Sequence, residues 1–340
     1  MFAVSGKRNF AGWAAAALLM LLGAALPYTA WGAEYTIKVG TIVSENHPDF
    51  VSLTNVFKPK IEKESNGRIE VQLYPNAQLG GDREMIESIQ MGTLTMALPA
   101  TSALAGFEKK FQVLDLPFLF KDKATGYRAL DGDLGKALDG LLPKHGLVNL
   151  GYCENGFRHI TNNRGPIMKP DDLKGLKLRT MENPMHIAFF KLLGANPTPM
   201  SYGEVYTALQ QGTIDGQENP IAIVSDGKFY EVQKFYSLTG HVFSVIMMLA
   251  NQDFMDKLPE DLRKIVGDAA TEFLLSDRKL VDSEEETLLK AMEAKGLKVN
   301  GLTPEQKQLF IDATLPVYDQ FKDVLGEEIV ELAKKANTGS

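Results

Sequence analysis

Two arginines stand where a strand hands over to a loop. Arg179 lies near the end of the run Leu176-Lys-Leu-Arg-Thr-Met-Glu-Asn-Pro184, which alternates with the period of a short strand until Asn183-Pro184 stops it. Arg158, in Gly156-Phe-Arg-His159, follows a second predicted strand, Val148–Tyr152. In open α/β sheets, ligands bind outside the carboxyl ends of the strands. A guanidinium at such a lip gives a carboxylate two parallel charge-assisted hydrogen bonds. One arginine there reads most simply as a surface ion pair. Two at equivalent strand ends favour a carboxylate ligand. Asn219, in Gly212-Thr-Ile-Asp-Gly-Gln-Glu-Asn-Pro220, sits at a third strand terminus and both donates and accepts. The bland reading of Asn219 is a turn former before Pro220.

The usual catalytic sets are missing from the sequence. No two of His47, His145, His159, His186 and His241 stand at the i, i+4 spacing of a helical metal pair. There is no G-x-S-x-G elbow, no P-loop and no G-x-G-x-x-G. Cys153, beside Gly151 and Tyr152 in a strand, reads as buried filler rather than a nucleophile. No catalytic residue, metal or cofactor is therefore expected.

Composition sets the compartment. Lys7 and Arg8 precede an apolar run from Ala11 to Leu26, and small residues follow at Ala30, Gly32 and Ala33. That order is a secretory signal peptide, 1–33, and implies a periplasmic protein. The run is short for an uncleaved anchor, which needs roughly 20 apolar residues. Cleavage takes the formal charge from −7 to −9 and removes both tryptophans, Trp13 and Trp31. An acidic chain without a basic cluster is no nucleic-acid binder. One cysteine cannot make an internal disulfide, so stability must come from burial. About 307 remaining residues suffice for two cores.

The elements that must hold these side chains alternate. Strands are predicted at Tyr35–Val39, Ile69–Tyr74, Thr95–Leu98, Val148–Tyr152, Leu176–Arg179, near Gly216, and at Val242–Ala250. Helices are predicted at Asp49–Ser65, Asp82–Met91, Pro184–Leu193 and Tyr202–Gln211. Alternation of this kind gives α/β architecture with mostly parallel sheets. Ser201-Tyr-Gly-Glu204 and Thr303-Pro-Glu-Gln306 both have the form of a capping box. Between Gly267 and Gly296 there is no Gly or Pro, and apolar residues recur with helical period. One helix from Pro259 to Lys295 would span roughly 50 Å, more than one small domain. The bland alternative is two helices meeting near Ser283.

Six blocks in order carry a family resemblance. They are Leu114-Asp-Leu-Pro-Phe-Leu-Phe120, Asn155-Gly-Phe-Arg158, Asp172-Leu-Lys-Gly-Leu-Lys-Leu-Arg179, Gly194-Ala-Asn-Pro-Thr-Pro-Met200, Glu204-Val-Tyr-Thr-Ala-Leu209 and Asp215-Gly-Gln-Glu-Asn-Pro220. With them the chain resembles the DctP-type periplasmic substrate-binding subunits of tripartite ATP-independent periplasmic (TRAP) transporters. The resemblance implies a two-lobed periplasmic binding protein fold, each lobe a mostly parallel sheet flanked by helices, with the long helix spanning both. Lobe I is expected to take 34–155 and 245–283, and lobe II 156–244 and 284–340. The chain should cross between lobes near Asn155, near His241–Ser244 and along the long helix.

The resemblance also implies a monomeric receptor that passes a small organic acid to integral-membrane TRAP subunits. Arg179 pairs with the ligand carboxylate, Arg158 assists, Asn219 completes the grip, and Tyr202 packs on the ligand. Lobe I is expected to contribute from Ser44–Pro48, through Asn46 and His47, and from Pro99–Ser102, through Thr101. Glu182 is carried as a candidate acceptor for a ligand hydroxyl or ammonium, although it reads more simply as a solvated loop residue. A C4-dicarboxylate, a hydroxy or keto acid, a sugar acid and an aromatic acid all present the same carboxylate, and a C4-dicarboxylate or a related hydroxy, keto or sugar acid is the expected ligand. An exported two-lobed enzyme acting on a carboxylate, or a sensory binding protein, is the alternative.

Overall fold

A computed structural model describes residues 32–338. The predicted signal segment, apart from Gly32 and Ala33, lies outside the described residues, as do Trp13 and Trp31. None of the helices within the described residues is long and apolar enough to cross a membrane.

From its amino end the described chain runs β1 (Tyr35–Gly40), α1 (Pro48–Ser52), α2 (Lys58–Glu64), β2 (Ile69–Tyr74), α3 (Asp82–Gln90) and β3 (Met96–Ala97). Two short helical turns, Thr101–Gly106 and Lys109–Asp115, lead to α4 (Lys123–Leu130), α5 (Asp133–Asp139) and the long strand β4 (Leu147–Phe157). Next come β5 (His159–Asn162), β6 (Lys177–Thr180), α6 (Pro184–Leu192), β7 (Asn196–Pro199), α7 (Tyr202–Gln210), β8 (Gly216–Asn219), α8 (Ile221–Asp226) and β9 (Phe235–Leu238). The chain ends with β10 (Phe243–Asn251), α9 (Gln252–Lys257), α10 (Glu260–Ala294), β11 (Lys298–Gly301), α11 (Pro304–Thr314), α12 (Pro316–Leu325) and α13 (Glu327–Thr338).

These strands form two sheets. One has the order β2-β1-β3-β10-β4, the other β11-β9-β5-β8-β6-β7. β1 is parallel to β2 and β3, and β6 is parallel to β7 and β8. β10 and β5 run against their neighbours because they return the chain from the other lobe. Every residue of β10 is buried, as a continuous Val, Ile and Met run demands of a strand covered on both faces.

The two crossings meet. Arg158 is the single residue between β4 in one sheet and β5 in the other. Its N–H donates to Val242 O at 2.8 Å, and His241 N–H donates to Arg158 O at 3.3 Å. The third connection is α10, a single helix of 35 residues. Its Val266, Ala269, Ala270 and Phe273 pack in the core behind the first sheet, and its Met292 packs in the core behind the second.

Three local readings change. The predicted helix 49–65 carries a wider π turn at Leu53–Phe57. Pro59 lies two residues after it and has no N–H for the carbonyl four residues back, so the wider turn absorbs the misfit. Ser201 does not cap α7 through its side chain, so that capping box does not form. The one at Thr303 does: Gln306 N–H donates to Thr303 Oγ1 and Thr303 N–H to Gln306 Oε1. Finally, the carboxyl-terminal helices straddle both lobes. α11 packs on α6, whereas α13 packs on α4 and α5 of the first lobe, because its Ile329 and Ala333 bury themselves in the core there.

Candidate functional site

A cleft lies between the sheets and is lined from both lobes. Arg158, Arg179, Met200, Tyr202 and Asn219 line it from the second lobe. Thr41, Asp49, Asp82, Leu98 and Ala100 line it from the first. Five of the sequence-predicted residues thus meet here: Arg179, Arg158, Asn219, Tyr202 and Glu182.

Arg179 is held by its own strand. β6 lies between β7 and β8, so its backbone is paired on both sides. The side chain is buried, and its Nε and Nη2 donate to Met200 O at 3.0 and 2.7 Å. Nη1 has no partner, and no carboxylate is within ion-pair distance among the described residues. Burial pulls the guanidinium down to about 10; Glu218 opposes that shift and Arg158 adds to it. A buried cation without a counter-ion is costly unless an anion joins it.

Arg158 differs. It is fully buried, and Glu218 takes its charge: Nε is 2.5 Å from Oε2 and Nη2 is 2.7 Å from Oε1. Nη2 also donates to Asn219 Oδ1 at 3.0 Å. Burial pushes the Glu218 carboxyl up, but Arg158 and His241 outweigh it and hold the group well below the usual range. His241 Nε2 lies 3.2 Å from Glu218 Oε2. Asn219 is fixed on its other side, since its Nδ2 donates to Gln217 Oε1 at 2.6 Å. Arg158 and Asn219 are therefore fixed in place on one wall.

The opposite wall is acidic. Asp82 begins α3, at the end of the loop that follows β2. Its Oδ2 accepts only Ala100 N–H, at 3.4 Å, and its Oδ1 is buried without a partner. Burial pushes this carboxyl up to about 7, against the pull of the Ala100 N–H and of Arg179. Asp49 is buried in the same wall, and behind it Asp277 of α10 is pushed well up by burial and by Asp49 itself. Tyr202 lays its ring 5.8 Å from that of Phe229, and its buried Oη has no partner. Glu182 is exposed at the rim.

Three expected residues lie elsewhere. Thr101 is buried, and its Oγ1 donates to Val245 O at 3.3 Å, so it holds the turn to β10 and leaves the cleft to Ala100 and Ala103. His47 caps α1, accepting Asp49 N–H at Nδ1. That role turns His47 and Asn46 into a separate groove with Ser44, Asp226 and Glu284. At that groove the lobes touch: Ser44 N–H donates to Asp226 Oδ2 at 3.1 Å, and Ser44 Oγ donates to Asp226 Oδ1. A second tie joins Asn183 Nδ2 to Ser102 O at 3.0 Å and to Asp115 Oδ2 at 2.7 Å.

Sequence reasoning missed Asp82, Asp49 and Asn155. For Asp82 a signal existed. The rule that pointed to Arg179, a polar residue just past a strand's carboxyl end, applies equally to the segment after Ile69–Tyr74. Among the described residues, no group of three or more His, Cys, Asp or Glu side chains is arranged to hold a metal ion.

Comparison with known proteins gives one consistent picture. Residues 39–323 match the family described as bacterial extracellular solute-binding protein, family 7 (DctP). A solute-binding protein of Verminephrobacter eiseniae is 39% identical over 304 residues, 89% of this chain and 90% of that one. The sugar acid binding protein DctPAm of Advenella mimigardefordensis, solved in complex with galactonate, superposes with a TM-score of 0.87 at 35% identity, covering 89% of this chain and 98% of that one. A TRAP periplasmic solute binding protein of Sulfurospirillum deleyianum with bound succinate gives a TM-score of 0.85 at 36% identity, covering 89% and 99%.

Proposed function

The chain belongs to the family 7 bacterial extracellular solute-binding proteins, and from that premise we propose the role of its cleft. It is a receptor that captures a small organic acid outside the cytoplasm and delivers it to the membrane subunits of a TRAP transporter. It acts as an exported monomer, returns its ligand chemically unchanged, and uses no cofactor. One observation carries this reading: Arg179 is a buried residue of the cleft lining, held by Met200 O, with no carboxylate of its own among the described residues.

The proposed cycle follows from that imbalance. An organic acid enters the open cleft and its carboxylate meets Arg179, with Arg158 and Asn219 donating alongside. The lobes close about the two strand crossings and α10. Closure removes water, which strengthens every charge-assisted bond inside, and it brings Ser44 onto Asp226 and Asn183 onto Ser102. Release then requires these ties to break, so the closed state holds the ligand until a partner reopens it.

The test is a thermal-shift screen of the exported chain, unfolded and refolded first to strip any co-purified ligand. A ligand at about 1,000 times its dissociation constant adds roughly 4 kcal/mol of stability. A rise in melting temperature with one class of carboxylates is the expected result. A shift confined to neutral or cationic compounds would sink the proposal.

A further inference from the structure

We infer that Asp82 is the specificity residue of the cleft, and that it takes a ligand hydroxyl. The ligand is then a hydroxylated monocarboxylate of the aldonic-acid type, rather than a dicarboxylate. This inference rests on the receptor reading above and names the substrate class for the same site.

The argument begins with the charges. Three cations line the cleft: Arg83, Arg158 and Arg179. Glu218 already neutralises Arg158. Arg83 is half exposed and pairs with Glu87 at 3.2 Å. That leaves Arg179 as the buried cation with no anion of its own among the described residues. One unmatched buried cation suits one carboxylate.

The facing wall is wrong for a second carboxylate. Asp49 and Asp82 contribute buried acidic groups to that wall, and Glu182 adds an exposed one at the rim on the Arg179 side. A second ligand carboxylate beside them would be buried among acidic groups, with no unpaired buried cation left to match it. Solved relatives of similar overall likeness hold galactonate in one case and succinate in another, so the fold by itself does not choose between them.

The orphaned atoms do choose. Asp82 Oδ1 is buried, without a partner, and belongs to a side chain of the cleft lining. A buried acceptor left empty costs free energy that a donor on the ligand recovers. Tyr202 Oη, in the lining on the second lobe, is buried and unpartnered as well. A chain of hydroxyl groups supplies a donor to Asp82 and a further hydroxyl to Tyr202, while its terminal carboxylate stays on Arg179.

An ammonium would also donate to Asp82, but only to its ionised form. Burial pushes this carboxyl up to about 7, so both of its protonation states are populated near neutrality. A hydroxyl is matched to either state, because it both donates and accepts. An ammonium only donates, and meets a neutral carboxyl poorly.

The experiment is calorimetric titration of the refolded, ligand-free chain with four probes: D-erythronate, its deoxy analogue butyrate, succinate and L-glutamate. Each is repeated with Asp82→Ala and Asp82→Asn, after melting curves show that the variants fold. Erythronate should bind at least tenfold tighter than butyrate, succinate or glutamate. Asp82→Ala should weaken erythronate at least tenfold more than it weakens butyrate. Asp82→Asn, which keeps an oxygen acceptor in the same shape, should recover part of that loss. Equal losses for erythronate and butyrate, or tightest binding of succinate or glutamate, would overturn this inference and leave the receptor reading intact. Binding of no carboxylate at all would overturn both.

Discussion

Arg158 and Glu218 form a buried ion pair at the point where the chain crosses between its sheets, with Nε 2.5 Å from Oε2 and Nη2 2.7 Å from Oε1. The pair explains why two arginines in one cleft have different work. Arg158 is already neutralised and held in place, and on the proposed reading it is a donor of fixed position. Arg179 has a single backbone carbonyl, Met200 O, as its hydrogen-bond partner, and on the proposed reading it supplies the charge that an incoming carboxylate meets.

Arg179→Ala is expected to abolish carboxylate binding and leave the fold intact. Truncating one partner of a buried, hydrogen-bonded charge pair costs about 2–5 kcal/mol of affinity. Arg179→Lys should also weaken binding, because a point charge replaces the planar fork. Titration calorimetry and a melting curve of each variant check this. Affinity unchanged in Arg179→Ala would remove the carboxylate-pairing argument.

Glu218→Ala is expected to act on stability first. It strands a fully buried guanidinium beside His241 and near Arg179, and breaking a buried pair this way costs about 3–5 kcal/mol. The pH dependence has a definite sign. The Glu218 carboxyl is held below its ordinary 4.5 in the folded protein. Its contribution is therefore present above that value and lost as pH falls further. Urea unfolding at neutral pH and at pH values below 4.5 should show the wild type losing part of its advantage over Glu218→Ala as acid is added. A variant as stable as wild type at neutral pH would mean that the pair contributes nothing.

The periodic features of the chain were legible before any coordinates. The alternation at Ile69–Tyr74 is a strand with those same ends, and the Gly-free, Pro-free apolar run became the 35-residue α10. Arg179, Arg158 and Asn219 were legible too, because a strand's carboxyl end is visible in sequence. The lobe I wall was not. Whether Thr101 or Ala100 faces the cleft depends on one turn of a short helix, and Thr101 is turned away by a bond to Val245 O. His47 failed for a different reason: its nearest donor is Asp49 N–H, two residues on, and that cap fixes its direction. The Arg158–Glu218 pair joins residues 60 apart in sequence, and no local pattern announces it.

Asp82 makes a pH prediction of opposite sign. Its carboxyl rises from an ordinary 3.8 to about 7 on folding. The folded protein thus binds the proton more tightly than the unfolded chain, and the associated stability is present below about 3.8 and lost as pH rises towards about 7. Asp82→Asn does not titrate. Its melting temperature relative to wild type should therefore rise between pH 4.5 and pH 8. The groups that face Asp82, namely Arg179, Arg158, Glu84 and the Ala100 N–H, are unchanged in the variant. A constant difference across that range would show that Asp82 keeps an ordinary carboxylate in the folded protein.

The contact between Ser44 and Asp226 makes a kinetic prediction. Ser44 follows β1 in the first lobe, and Asp226 ends α8 in the second. Asp226 accepts both the backbone N–H and the hydroxyl of Ser44, so its carboxylate holds two donors across the mouth of the protein. Neither residue lines the ligand cleft. Their bonds exist only while the lobes are together, and must break before a ligand leaves. A hydrogen bond to a charged group is worth about 1.5–3 kcal/mol, and this one is partly exposed, so the lower end applies. Asp226→Ala should therefore speed ligand release by roughly tenfold or more, at 1.4 kcal/mol per decade. The association rate should change little, because the ligand enters before the contact forms. Displacement of a bound acid by excess competitor gives the release rate directly. Release within twofold of wild type would mean that closure is held by the ligand and by Asn183 alone. Slower association with unchanged release would mean that Ser44 and Asp226 shape the entry path instead of locking it.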